Sequence, residues 1–197
     1  MRPFLRPLCL SLLLFTVMPL FADHGRVQRR DPALAGWPLS DFHLLDQRGA
    51  PLSLEHLHGW WTFLLVGDSR CARPCTEALS ALAGLYARIA RTDALATTRV
   101  LFVSLDERDT PADLRRFLGR YPSRFIGASG HGRSLADDLG VPYPEPGRGD
   151  PPTGDTVGYD GSIWLVDPEG IIQARMIPPF DVPLLTAEYM RARVRRR

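Results

Sequence analysis

The run WWTFLLVG, residues 60 to 67, constrains the fold more than any other feature of the chain. It is too continuously apolar to serve as a strand with one wet face, so it belongs at the centre of a sheet covered on both sides. RVLFVSLD, residues 99 to 106, is a second buried strand of the same kind. Between them, Cys75, Leu79, Leu82, Tyr86 and Ile89 keep the spacing of one helical face. Two buried strands joined by a helix place the chain among α/β proteins.

The flanking segments extend the pattern. FHLLD reads as an earlier strand, and Thr110 followed by Pro111 supplies an N-cap and a first-turn proline. Leu114, Phe117 and Leu118 give that helix its buried side. RFIGAS is a short strand and Leu135 to Leu139 a short helix. Residues 142 to 158 hold five prolines and four glycines, which predicts a long loop. SIWLVDPEGIIQARMI reads as two strands around the turn Asp167-Pro168-Glu169-Gly170, and Pro183 to Arg195 as a closing helix. This order is that of a thioredoxin-like fold, a central mixed sheet flanked by helices.

The first 22 residues join Arg2 and Arg6 to an apolar run ending at Ala22, as a signal peptide or an N-terminal membrane anchor would. Residues 23 to 36 have no apolar period and read as a tether, leaving residues 37 to 195 as the domain. Either fate of the leader puts that domain outside the cytoplasm, in the bacterial periplasm. There is no lysine, and beyond residue 22 the arginines and acids balance. A nucleic-acid partner is not expected from such a balance. Cys9 falls within the leader, so Cys71 and Cys75 are the two cysteines of the exported chain. A close pair in an oxidising compartment points to function more than to a stapled framework.

Those cysteines stand in GDSRCARPCTEAL, where the central strand feeds a helix. Pro74 suits the first helical turn, so Cys71 falls at or just before the helix N-terminus and Cys75 within the first turn. Residues one turn apart have Cα atoms roughly 6 Å apart, a separation that a disulfide tolerates. The helix terminus, with Arg70 and Arg73, is expected to favour thiolate at Cys71. Asp68 is expected to cap the turn before the cysteines or to pair with Arg70. Asp106, Arg108 and Asp109 read as a turn-stabilising cluster able to line the site, and Trp60, Trp61 and Trp164 as core and strand residues.

Taken together, these segments resemble the Sco/SenC family of envelope and mitochondrial thioredoxin-fold proteins. The likeness runs from about Phe42 to Met190: the Cys71 and Cys75 spacing matches the family's C-x-x-x-C, VSLDERDTPADL its aspartate-rich turn, RFIGASG its following strand and SIWLVDPEG its final one. The resemblance implies copper bound by Cys71 and Cys75, and a role in assembling the copper centre of cytochrome c oxidase by delivering copper or reducing thiols. It also implies a distant histidine ligand, five residues before the aromatic of the final strand. Counting back from Trp164 reaches Tyr159 instead. A phenol with a pKa of about 10 is a poor ligand for Cu(I). His43, His56, His58 and His131 read as loop or surface residues, Met176 as core, and Asp160 as a hard oxygen donor.

Three functions follow from these residues. One is a Sco-type assembly factor acting on the copper-centre subunit of cytochrome c oxidase. Another is a general thiol:disulfide oxidoreductase, acting on an envelope thiol protein without stable copper. The third is a non-catalytic interaction protein in which the pair is a structural disulfide.

Overall fold

A computed structural model describes residues 36–143 and 159–196. The expected leader, most of the tether and most of the proline-rich loop therefore lie outside the described residues. Seven strands form one mixed sheet: β1 (His43–Asp46), β2 (Pro51–Leu52), β3 (Trp61–Gly67), β4 (Thr98–Ser104), β5 (Phe125–His131), β6 (Ile163–Val166) and β7 (Ile172–Met176). Their order across the sheet is β2-β1-β5-β4-β3-β6-β7. Among the described residues four helices accompany them: α1 (Arg73–Ile89), α2 (Pro111–Leu118), α3 (Arg133–Leu139) and α4 (Val182–Arg195).

β3 is buried at all seven positions, as its composition demands. It runs parallel to β4 and antiparallel to β6, pairing Leu65 with Phe102 on one side and with Ile163 on the other. α1 buries the expected stripe, with Cys75, Leu79, Leu82, Tyr86 and Ile89 all turned to the core. α2 starts in a full capping box: the Thr110 hydroxyl accepts the Asp113 N–H, and the Asp113 carboxylate accepts the Thr110 N–H at 3.0 Å. Strand parity puts Phe63, Phe102 and Gly127 on one face. There Tyr189 of α4 meets Phe63 edge-on, Phe117 of α2 meets Phe102, and Leu114 and Leu118 fill the space above Gly127.

The structure extends the expected RFIGAS strand to His131 and adds the two-residue β2, along with short 3-10 turns at Leu54–Leu57 and Asp93–Thr97. The β6–β7 hairpin forms around the expected turn, where the buried Asp167 accepts the N–H groups of Glu169 and Ile171 at 3.0 Å each. α4 is held at its far end as well: Arg196 pairs with Asp167 and lies 3.1 Å from Glu169. Of the other C-terminal arginines, Arg191 binds Glu188, and Arg193 donates to the Tyr189 and Thr97 hydroxyls.

Candidate functional site

The carboxyl ends of β3 and β4 meet the start of α1 and the segment that enters β6, and this junction holds the cysteines. Beyond Gly67 the chain turns through residues 68 to 71. Asp68 closes the turn: its Oδ1 accepts the Arg70 N–H at 2.7 Å and its carbonyl accepts the Cys71 N–H at 3.0 Å. Burial pushes the Asp68 carboxyl up, against the opposing effect of that N–H and of the Arg70 charge. The N-cap of α1 is Ala72, and Pro74 sits in the first turn, where a missing N–H costs nothing. Cys71 and Cys75 are joined as a disulfide, Cα to Cα 5.8 Å. Both are buried, Cys71 at 3% exposure and Cys75 at 0%.

Space for Cys75 is made by Gly67. A Cβ built there would lie 2.6 Å from the Cys75 Sγ, closer than real side chains approach, and 3.0 Å from the Phe102 ring. Nothing in the sequence marks this glycine, since one at the end of a strand is commonplace. Ser69 and Ser104 are equally unmarked there; both bind Asp109, which accepts the Ser69 N–H and Oγ and the Ser104 Oγ, each at 2.6 Å.

The two flanking cations are placed otherwise than their sequence positions suggest. Arg70 reaches across to Asp106, which Arg108 also binds at 2.9 and 3.0 Å. Arg73 turns outward to Glu77, 2.7 Å away on α1. Each guanidinium thus faces a carboxylate. Despite partial burial, the Arg108 hydrogen bonds and the Arg70 charge hold the Asp106 carboxyl below its usual range.

Opposite the cysteines, Gly161 has φ +72° and packs on the carbonyl of Pro74, 2.7 Å from where its Cβ would stand. That contact brings residues 159 to 162 onto the start of α1. Tyr159 is buried, and its hydroxyl has no hydrogen-bond partner among the described residues. Burial first, then the charges of Asp68, Asp106 and Asp109, raise its pKa above the ordinary phenol value, so the ring stays neutral. With Val66, Val141, Trp164 and Arg175 it lines a cavity of about 50 Å³. Asp160 is engaged elsewhere, accepting the Ser162 N–H at 2.8 Å and Arg175 at 2.6 Å.

The remaining donors do not gather at the cysteines. His131 is exposed at the end of β5, 3.6 Å from Glu107. His43 stands 3.7 Å from Asp41, His56 binds Ser53 at the 3-10 turn, and Met176 is core. Among the described residues, no group of three or more histidines, cysteines or carboxylates is arranged to hold a metal ion. Trp61 and Trp164 are buried, and Trp60 lies under the Arg99 guanidinium, 4.1 Å from the ring centre.

Residues 34–192 match the SCO1/SenC family. Over 155 residues the chain is 29% identical to the mitochondrial SCO2 homolog of Bos taurus, covering 76% of this chain and 58% of that one. It thus spans less than two thirds of that relative's length. Apo Sco1 of Thermus thermophilus superposes with a TM-score of 0.66 at 27% identity, over 79% of this chain and 91% of that one. ScoI of Arabidopsis thaliana, solved with copper bound, gives a TM-score of 0.69 at 22% identity, over 80% and 98% of the two chains. The thioredoxin-like architecture read from the order of elements is the one these neighbours share. The family match covers the sheet, the cysteine turn, α1 to α3 and most of α4, and the chain belongs to the SCO1/SenC family.

Proposed function

We propose that this protein serves assembly of the copper centre of cytochrome c oxidase from the bacterial envelope, through the dithiol form of Cys71 and Cys75. The observation that carries the reading is the cysteine pair itself, joined across the first turn of α1 at the carboxyl edge of the sheet. Open α/β sheets place their chemistry at that edge. Reduced, the pair supplies two thiolates to Cu(I), which soft sulfur ligands suit and which two-coordinate binding satisfies. Copper is then cargo, passed to the thiolates of an acceptor. Alternatively the dithiol reduces an acceptor disulfide: two electrons and two protons leave Cys71 and Cys75, whose sulfurs close on one another.

Tyr159 favours a second reading. If residue 159 takes the family's histidine position, as the count back from Trp164 implies, its buried, neutral phenol replaces the third ligand and Cu(II) has little to hold it. Thiol:disulfide exchange on an envelope protein, without stable copper, fits such a site as well. The leader, residues 1 to 22, would export or anchor the chain in either case.

Titrating the fully reduced protein with Cu(I) against a competing chelator separates the readings. Copper delivery expects one tightly held Cu(I) per chain, lost in Cys71→Ser and in Cys75→Ser. Absence of tight Cu(I) binding, with a pair that still cycles between dithiol and disulfide, would leave the exchange reading standing.

A further inference from the structure

We infer that Asp109 is a positioning residue for the cysteine pair, setting how readily Cys71 and Cys75 close on each other by clamping the turn that carries Cys71. The inference rests on the dithiol reading above. Its basis is a three-point contact. Ser69, two residues before Cys71, gives both its N–H and its Oγ to the Asp109 carboxylate, one to each oxygen, at 2.6 Å. The oxygen that takes the N–H also accepts the Ser104 Oγ at the end of β4, again at 2.6 Å.

Asp109 is itself fixed from behind. Its N–H donates to the Asp106 carbonyl at 2.9 Å, and the next residue, Thr110, is the N-cap of α2. The cysteine turn is therefore tied to the neighbouring strand and the second helix. Its other ties are the local bonds of Asp68 and the Arg70 pair with Asp106. Short hydrogen bonds to a carboxylate are among the stronger ones available. A side chain held in place meets its partner at a far higher effective concentration than one on a loose loop. By fixing residue 69, Asp109 fixes where Cys71 begins, while Cys75 is set independently by α1 and the Gly67 gap.

The test is to equilibrate the full-length protein with mixtures of reduced and oxidised dithiothreitol and count free thiols. Each dithiol molecule that reacts passes two electrons and two protons to the Cys71–Cys75 bond, breaking it and closing its own ring. Asp109→Ala is expected to lower the equilibrium constant for disulfide closure about tenfold, about 30 mV for a two-electron couple. Ser69→Ala is expected to move it the same way by less, because the N–H contact survives. The double variant should fall no further than Asp109→Ala, as expected of partners in one contact. Asp109→Asn, which keeps an acceptor oxygen, should lie between.

Asp181→Ala separates positioning from mere stability. It removes the N-cap of α4, where the Asp181 side chain accepts the Leu184 N–H at 2.8 Å, and lowers Tm without touching the clamp, so the closure constant should stay at the wild-type value. A closure constant within twofold of wild type in Asp109→Ala, or one shifted equally by Asp181→Ala, overturns the assignment. Should Asp109→Ala fail to fold, an unshifted Ser69→Ala overturns it. A wild-type pair that never equilibrates with the buffer defeats the dithiol reading first, and the inference with it. A responsive wild type with unresponsive variants defeats the inference alone.

Discussion

Gly67 and Cys75 share a space too small for a Cβ and a sulfur together, the two being 2.6 Å apart if a methyl is built on the glycine. Gly67→Ala is therefore expected to displace the Cys75 Sγ or the Phe102 ring behind it. Overpacking of this kind costs about 1–3 kcal/mol. Denaturant unfolding of oxidised and reduced forms tells the two obstacles apart. A reduced Cys75 can turn aside, so the penalty should be larger in the disulfide form; an equal penalty in both would make Phe102 the obstacle.

Tyr159→His tests the ligand set. The structure brings residues 159 to 162 onto the first turn of α1 through Gly161, so an imidazole at 159 is within the same neighbourhood as the cysteines. The variant is expected to bind Cu(II) at least tenfold more tightly than wild type and to develop a thiolate-to-copper charge-transfer band. Tight Cu(II) binding by wild type, unchanged in Tyr159→Phe, would mean that another side chain supplies the ligand.

The cap of α2 predicts a pH-dependent stability. Hydrogen bonds from the Thr110 hydroxyl and N–H, with Arg116, hold the Asp113 carboxyl below its usual range. The folded state thus favours the ionised form. The stabilisation is fully present above the unfolded value of about 3.9 and is lost as pH falls through the depressed folded one. Asp113→Asn should melt below wild type at pH 7, the gap narrowing under acid as Asp113 protonates. A gap that stays constant from pH 7 to pH 3 would count against this account.

Thr62 sits fully buried in β3 with a hydroxyl that has no partner among the described residues. A buried, unsatisfied hydroxyl is destabilising, and a methyl of nearly the same size removes the need for one. Thr62→Val is expected to raise stability by about 1 kcal/mol in chemical unfolding. A loss would show that the hydroxyl is satisfied in solution.

The interior of this fold is written locally. The unbroken apolar character of Trp61 to Val66 and the stripe from Cys75 to Ile89 each announce their element without help from distant residues, and so do Thr110 and Pro111 at the start of α2. Tertiary relationships were not legible in the same way. Arg70 adjoins Cys71 in the chain, yet its guanidinium reaches Asp106, 36 positions on. Adjacency in sequence says nothing of where a long side chain ends. Asp109 read as one member of a turn cluster, because its partner Ser69 lies 40 residues away and only the parallel register of β3 and β4 brings the two turns together. Strand order is likewise a product of packing: β6 is inserted antiparallel beside β3, which carries residue 159 toward the cysteine turn.

Arg191, Arg193, Arg195, Arg196 and Arg197 crowd positions 191 to 197. In the folded chain Arg196 is the cation for a wholly buried Asp167, and Arg193 closes over Tyr189 and Trp61. The last turn of α4 is thus a strap across the β6–β7 hairpin, tied down at Arg196. Trimming that end to shed positive charge, or nicking it with an arginine-directed protease, would leave a buried carboxylate without its cation beneath the strand that carries Trp164. Any shortened form of this protein should therefore keep Arg196.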